Sequence, residues 1–133
     1  MTKEEIKVDT EILVVDDDEQ IRSFIRIILM KLGFSNVDTS SCSEDTIQRL
    51  RHKNYGLIFL DINLPGVDGL SLLRLVQNKY PGINVIMCSA NSTAQNVKEA
   101  VATGAVSFLA KPVLAGNIIK VFDKMGVKCN KIM

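Results

Sequence analysis

The sequence predicts an α/β domain, a doubly wound (βα)5 fold with a five-stranded parallel sheet and helices on both faces. Three observations carry that prediction. Short apolar runs alternate with helical-period patterns along the chain. The clearest runs are apolar throughout, without the in-and-out alternation of a half-exposed strand, as expected for strands covered on both faces. Carboxylates, a hydroxyl or a lysine stand directly after them, where ligands bind in such sheets.

The elements follow in order. "ILVV" (12–15) is strand 1. Ile21, Phe24, Ile25, Ile28, Leu29 and Leu32 form one face of helix 1, which Gly33 ends. A weaker strand lies near "NVDTS" (36–40). Ser41 with Glu44 resembles a capping box for helix 2, and Arg51, His52 and Lys53 suit the negative end of its dipole. "LIFL" (57–60) is strand 3, and Asp68 is placed to cap a helix containing Leu70, Leu73 and Val76 that "YPG" (80–82) closes. "VIMC" (85–88) is strand 4. Ser92 with Gln95 opens helix 4, which contains Val97 and Val101 and stops at Gly104. "VSFLA" (106–110) is strand 5, and Leu114, Ile118, Val121, Phe122 and Met125 line helix 5.

At 133 residues the chain suits one domain, read as 11–126 between an extension at 1–10 and a tail at 127–133. A formal charge of +1 gives no reason to expect direct nucleic-acid or membrane binding. The charge is uneven: from residue 111 onward five lysines face the single Asp123, a local +4, which leaves −3 on the rest. A solvated helical face is the simpler reading of that run. No apolar run reaches the roughly 18 residues of a membrane span, and "MTKEEIKVDT" lacks a signal peptide's apolar core. Three cysteines without metal-type spacing suit a reduced, cytoplasmic protein, with Cys88 a small core residue. The single histidine, His52, has no second histidine to share a ligand or base role.

Asp16, Asp17 and Asp18 follow strand 1, Asp61 follows strand 3, Ser89 follows strand 4, and Lys111-Pro112 follows strand 5. In the doubly wound order 2-1-3-4-5, strands 1 and 3 meet at the switch point. Asp16, Asp17 and Asp61 then converge, with Ser89 and Lys111 beyond them. Two like charges about 4 Å apart repel by about 4 kcal/mol at an effective dielectric near 20. Either a carboxyl pKa rises or a cation sits between them. An all-oxygen cluster with few ligands suits Mg²⁺, which phosphate oxygens complete. Carboxylate, divalent metal and lysine together are the equipment of phosphoryl transfer, with Asp61 the natural nucleophile. "DINLPGVDG" breaks the strand so that the Asn63 carbonyl is free to reach a metal, while Pro65, Gly66 and Gly69 shape the turn.

On "ILVVDDDEQIR", "LIFLDINLPGVDGL", "MCSA" and "FLAKP", in order and spacing, residues 11–126 resemble a response-regulator receiver domain, the phospho-accepting module of two-component signalling. Similarity to chemotaxis-type receivers implies the flavodoxin-like fold and a phosphoryl group accepted by Asp61 from a histidine kinase or phosphotransfer protein. It also implies that Asp17, Asp61 and the Asn63 carbonyl ligate Mg²⁺, with Asp16 acting largely through water. Ser89 and Lys111 would hold the phosphoryl oxygens, and Lys111-Pro112 would be cis. The implied output is a change in the helix 4–strand 5–helix 5 surface toward a downstream effector protein, in which Ser89 moves and Phe108 swings inward. Such a module is not an enzyme beyond its own phosphorylation and dephosphorylation. Because little sequence follows helix 5, action by protein contact is expected.

Two positions depart from the chemotaxis type: Phe108 stands where tyrosine is usual, and Ser89 replaces the commoner threonine. Phe108 is read equally as a core aromatic or a switch, and Ser89 also as a helix cap. Asp18 and Glu19 are read as dipole-favourable helix-start residues. Two rivals differ in chemistry. A haloacid-dehalogenase-type phosphatase would use carboxylates two apart in "DDDEQI", but Gln20 stands where that family needs a hydroxyl residue and only Asp123 follows Lys111. A degenerate receiver acting as a docking module would fold yet ignore phosphodonors, although no chemical residue is missing.

Overall fold

Residues divide between two sides of one sheet. The computed structural model describes residues 2–130; Met1 and residues 131–133 of the expected tail, with the fifth carboxyl-terminal lysine, Lys131, lie outside the described residues. The strands are β1 (Ile12–Val15), β2 (Val37–Ser40), β3 (Leu57–Asp61), β4 (Asn84–Ser89) and β5 (Ser107–Ala110). The helices are α1 (Glu19–Lys31), α2 (Ser43–His52), α3 (Gly69–Lys79), α4 (Ala94–Thr103) and α5 (Ala115–Met125). All strand pairs are parallel, in the order β2-β1-β3-β4-β5. The doubly wound (βα)5 fold is as the apolar runs predict.

Every residue of β1, β3 and β4 is buried. Alternate side chains of a strand point to opposite faces, so each run supplies two cores. Ile12, Val14, Phe59 and Ile86 join Ile25, Leu29, Ile118 and Phe122 on one side. Leu13, Val15, Ile58, Leu60, Val85 and Met87 join Leu72, Leu73, Val76 and Ala100 on the other. Phe122 anchors the first core, its ring 5.4 Å from that of Phe34 and 6.3 Å from that of Phe59 between centroids. Cys88 is buried in the same core, and burial pushes its thiol up to about 12.

Several helix details differ from expectation. Phe24 is 41% exposed, because the buried stripe of α1 centres on Ile25, Ile28 and Leu29 and leaves Phe24 at its margin. Val101 and Leu114 are also exposed, and Leu114 is the N-cap of α5, one residue ahead of the helix and four ahead of Ile118, where its buried stripe begins. Ser41 does not cap α2; Cys42 takes that position with no side-chain hydrogen bond. Thr93, one residue beyond Ser92, caps α4 by accepting from the Asn96 amide. Asp18 and Asp68 do cap α1 and α3, accepting from the amides of Gln20 and Ser71.

Residues before β1 close the amino end of the sheet. The Glu4 amide donates to Gly82 O at 2.8 Å, and the Asn84 side-chain amide donates to Glu4 O and Gly56 O at 2.9 and 3.0 Å. Lys3 Nζ donates to Ile83 O and also bonds the Gln77 side chain. Ile6 is buried in the first core. At the other terminus Val127 is buried and the Asn130 amide donates to Leu32 O. Among the described residues no helix is long and apolar enough to cross a membrane.

Candidate functional site

The central ladder brings the carboxylates together. Val15 pairs with Leu60, so Asp16, one residue beyond β1, stands level with Asp61, the last residue of β3. Asp61 itself pairs with Cys88, and the Ile62 amide donates to Cys88 O, so the acidic residue is fixed by the sheet. Asp16 and Asp61 are each 2% exposed, whereas Asp17 is open to solvent. One oxygen from each of Asp16, Asp17 and Asp61 lies within 4.8 Å of the others.

Local hydrogen bonds aim these groups. Asp16 Oδ1 accepts from the Asp18 amide at 2.9 Å, and Asp61 Oδ1 accepts from the Asn63 amide at 3.1 Å. Arg22 Nη1 donates to the Asp16 carbonyl at 2.8 Å. From the far side Lys111 Nζ approaches Asp16 Oδ2 to 2.7 Å and Asp61 Oδ2 to 3.3 Å. Ser89, fully buried at the end of β4, accepts at Oγ from the Asn91 amide. The Lys111 amide donates to Ser89 O, and the Lys111-Pro112 peptide is cis.

The electrostatics follow from burial and neighbours. Burial raises the Asp61 carboxyl pKa and the charge of Asp16 adds to the rise, while the Asn63 amide and Lys111 pull the other way. Burial lowers the Lys111 ammonium, but Asp16 and Asp61 together outweigh it and its pKa is raised. Three carboxylates against one ammonium leave the cluster negative. Its donors are all oxygen and one of them, Asp17, opens to solvent, which fits a hard divalent cation that keeps part of its water.

The sequence-derived residues are therefore gathered at one sheet edge, with one apart. Phe108 lies half-buried on β5 at the margin of the second core, outside the carboxylate cluster. Asp18 is exposed and occupied as a helix cap, which leaves the carboxylate pair of a dehalogenase-type phosphatase divided. Sequence reasoning did not single out Arg22 or Ser43, and it gave Gly69 only a turn role. A Cβ on Gly69 would sit 2.4 Å from Asp61 O and 2.5 Å from Ile62 Cα, so only glycine lets α3 begin directly against the end of β3. The signal for Arg22 was its place on the first turn and a half of the helix that follows the acidic triplet.

Comparison with known proteins places this geometry among relatives. The family model described as the response regulator receiver domain matches residues 12–123. The chain is 30% identical over 113 residues to the chemotaxis protein CheY of Bacillus subtilis, covering 85% of this chain and 94% of that protein. It is 36% identical over 102 residues to a protein-glutamate methylesterase/protein-glutamine glutaminase of Archaeoglobus fulgidus, but that match spans 76% of this chain and only 29% of the longer protein. Among solved structures, a CheY-like response regulator receiver domain protein from Methanospirillum hungatei superposes with a TM-score of 0.80 at 25% identity, covering 88% of this chain and 93% of that one.

Proposed function

The chain belongs to the response regulator receiver domain family of two-component signalling, and from that premise we propose that Asp61 accepts a phosphoryl group from the phosphohistidine of a kinase or phosphotransfer protein. An Asp61 carboxylate oxygen attacks phosphorus; an O–P bond forms, the N–P bond breaks, and its electron pair stays on the imidazole nitrogen. Asp16, Asp17, Asp61 and the Asn63 carbonyl are the residues that would hold Mg²⁺, Asp16 largely through water. When bound, the ion offsets the charge shared by the carboxylates and the phosphoryl oxygens.

The observation that carries this reading is the buried Asp61 carboxylate, fixed in the sheet beside Asp16, with Lys111 Nζ 3.3 Å away. Lys111 is poised to exchange a carboxylate partner for a phosphoryl oxygen. Ser89 Oγ accepts from the Asn91 amide, which leaves its own proton to donate to another phosphoryl oxygen. Those two shifts alter the ends of β4 and β5, and Phe108, half-buried on β5, would follow. The output is then a changed α4–β5–α5 surface read by an effector protein in the cytoplasm.

The test is intact-protein mass after incubation with a small acyl phosphate, with and without Mg²⁺. A Mg²⁺-dependent gain of one phosphoryl group, absent in Asp61→Asn, is expected. A gain that persists in Asp61→Asn overturns the assignment, and turnover of free phosphoesters that depends on Asp16 favours the phosphatase.

A further inference from the structure

We propose that Ser43 is a positioning residue for the metal- and phosphoryl-binding loop. This inference rests on the phosphoryl-acceptor reading of the Asp61 site and extends it to the β2–α2 corner.

Residues 62–68 link β3 to α3 and carry Asn63, whose carbonyl is assigned to the metal. The stretch 64–67 is exposed apart from Leu64. Among the described residues, its one hydrogen bond to another element runs from the Val67 amide to Ser43 Oγ, at 3.2 Å. Ser43 is 2% exposed and opens α2, yet its hydroxyl leaves its own helix uncapped and reaches across to the loop. Gly66 complements it. Its φ of +85° suits glycine, and a Cβ there would come within 3.1 Å of Ser43 Oγ.

The corner that holds Ser43 is itself tied to the other half of the site. Thr46 Oγ1 lies 3.0 Å from Ser40 Oγ and 2.8 Å from Cys42 O, and Ser40 Oγ donates to Cys42 O at 3.2 Å. Ser40 O in turn accepts from the Asp16 amide at 3.1 Å. Hydrogen bonds of Ser40 and Thr46 to Cys42 O, and the backbone from Cys42 to Ser43, thus connect Asp16 to the loop that bears Asn63. Groups that orient ligands in this way influence metal affinity without touching the ion.

The experiment compares wild type, Ser43→Ala, Ser43→Thr, Gly66→Ala and the exposed control Ser41→Ala, each checked for folding by urea midpoint. Amide hydrogen exchange at Val67 is followed in metal-free protein, then Mg²⁺ affinity by titration, then phosphorylation by a small acyl phosphate at limiting and saturating Mg²⁺. In Ser43→Ala we expect faster Val67 exchange and an Mg²⁺ Kd raised about three- to tenfold, the factor one lost neutral hydrogen bond carries. The phosphorylation deficit should close at saturating Mg²⁺. Gly66→Ala should show the same signature from the loop side, Ser43→Thr should recover affinity, and Ser41→Ala should change nothing. Unchanged Mg²⁺ affinity in folded Ser43→Ala overturns the inference, as does an equal loss in Ser41→Ala. A wild type that binds Mg²⁺ but takes no phosphoryl group refutes the acceptor reading instead, and the affinity comparison still decides the role of Ser43.

Discussion

Lys111→Met separates the electrostatic role of the lysine from its bulk. The stem is retained and the ammonium, 2.7 Å from Asp16 and 3.3 Å from Asp61, is removed. What remains is a buried pair of carboxylates with oxygens within 4.8 Å. At that separation two negative charges repel by about 3.5 kcal/mol at an effective dielectric near 20. Removing one partner of a buried ion pair costs about 3–5 kcal/mol, and the 14% exposure of the Lys111 side chain favours the lower figure. We therefore expect a loss of about 3 kcal/mol in chelator, a fall in urea midpoint of about 1–3 M. Divalent cation should narrow the gap, because in the variant it substitutes for the missing positive charge, whereas in the wild type it must displace it. At a free Mg²⁺ concentration about one hundred times its Kd the linkage supplies about 2.7 kcal/mol. Acid should narrow it too. The folded-state pKa of Asp61 is already raised, so its contribution to stability is greatest below the ordinary carboxylate value and is lost as pH rises through the folded one. Removing Lys111 lifts that folded value further. Urea unfolding by circular dichroism in chelator, in Mg²⁺ and across acid pH reads all three. Equal stability in chelator, or a deficit that neither Mg²⁺ nor acid reduces, refutes the reasoning.

The same pocket makes Asp61→Asn fold at least as stably as the wild type at pH 7 while losing phosphorylation, because burial and Asp16 both disfavour its charge; a less stable variant would contradict the sign of that effect. Gly69→Ala forces backbone against backbone by about 1 Å, at a cost of about 1–3 kcal/mol. A displacement of that size at Asp61 should slow phosphorylation about a hundredfold, measured by mass against time. Ile6→Ala, in the segment before β1, should cost about 2 kcal/mol in urea unfolding. Its phosphorylation rate should stay at wild type, since Ile6 lies toward the opposite end of the sheet from Asp61.

The sheet was readable because strands covered on both faces must be apolar at every position, and "ILVV" and "LIFL" are. The site was readable for a related reason: Asp16, Asp61 and Ser89 stand where those runs end. Helix caps were less so. Ser41 and Ser92 satisfy the capping-box spacing with Glu44 and Gln95, but Cys42 and Thr93, one residue later, have the extended backbone a cap needs. The spacing does not encode that difference. Rotation about α1 is similarly underdetermined, since Phe24, Ile27 and Met30 extend the apolar pattern past the buried face and end up exposed. Residues 1–10 read as an extension because Ile6 and Val8 form no periodic face. Ile6 is nonetheless buried in the first core, while Glu4 beside it is tied to Gly82 and Asn84, far away along the chain. The sequence places Lys111 beside the carboxylates but does not encode which one it contacts; its ammonium reaches both Asp16 and Asp61.

The pairing of β1 with β3 matches Val15 to Leu60 across 45 positions. Parallel strands admit no hairpin, so this register forms only after a long loop has closed, and such pairings are slow to nucleate. During synthesis a chain that ends within α2 already contains Asp16 and Asp17 but has no Asp61 to oppose them. The carboxylate cluster is therefore an all-or-none property of the assembled sheet. On the proposed reading, Mg²⁺ occupancy would serve as a count of native molecules, useful for following refolding or the yield of a truncated or fused variant without any phosphodonor present.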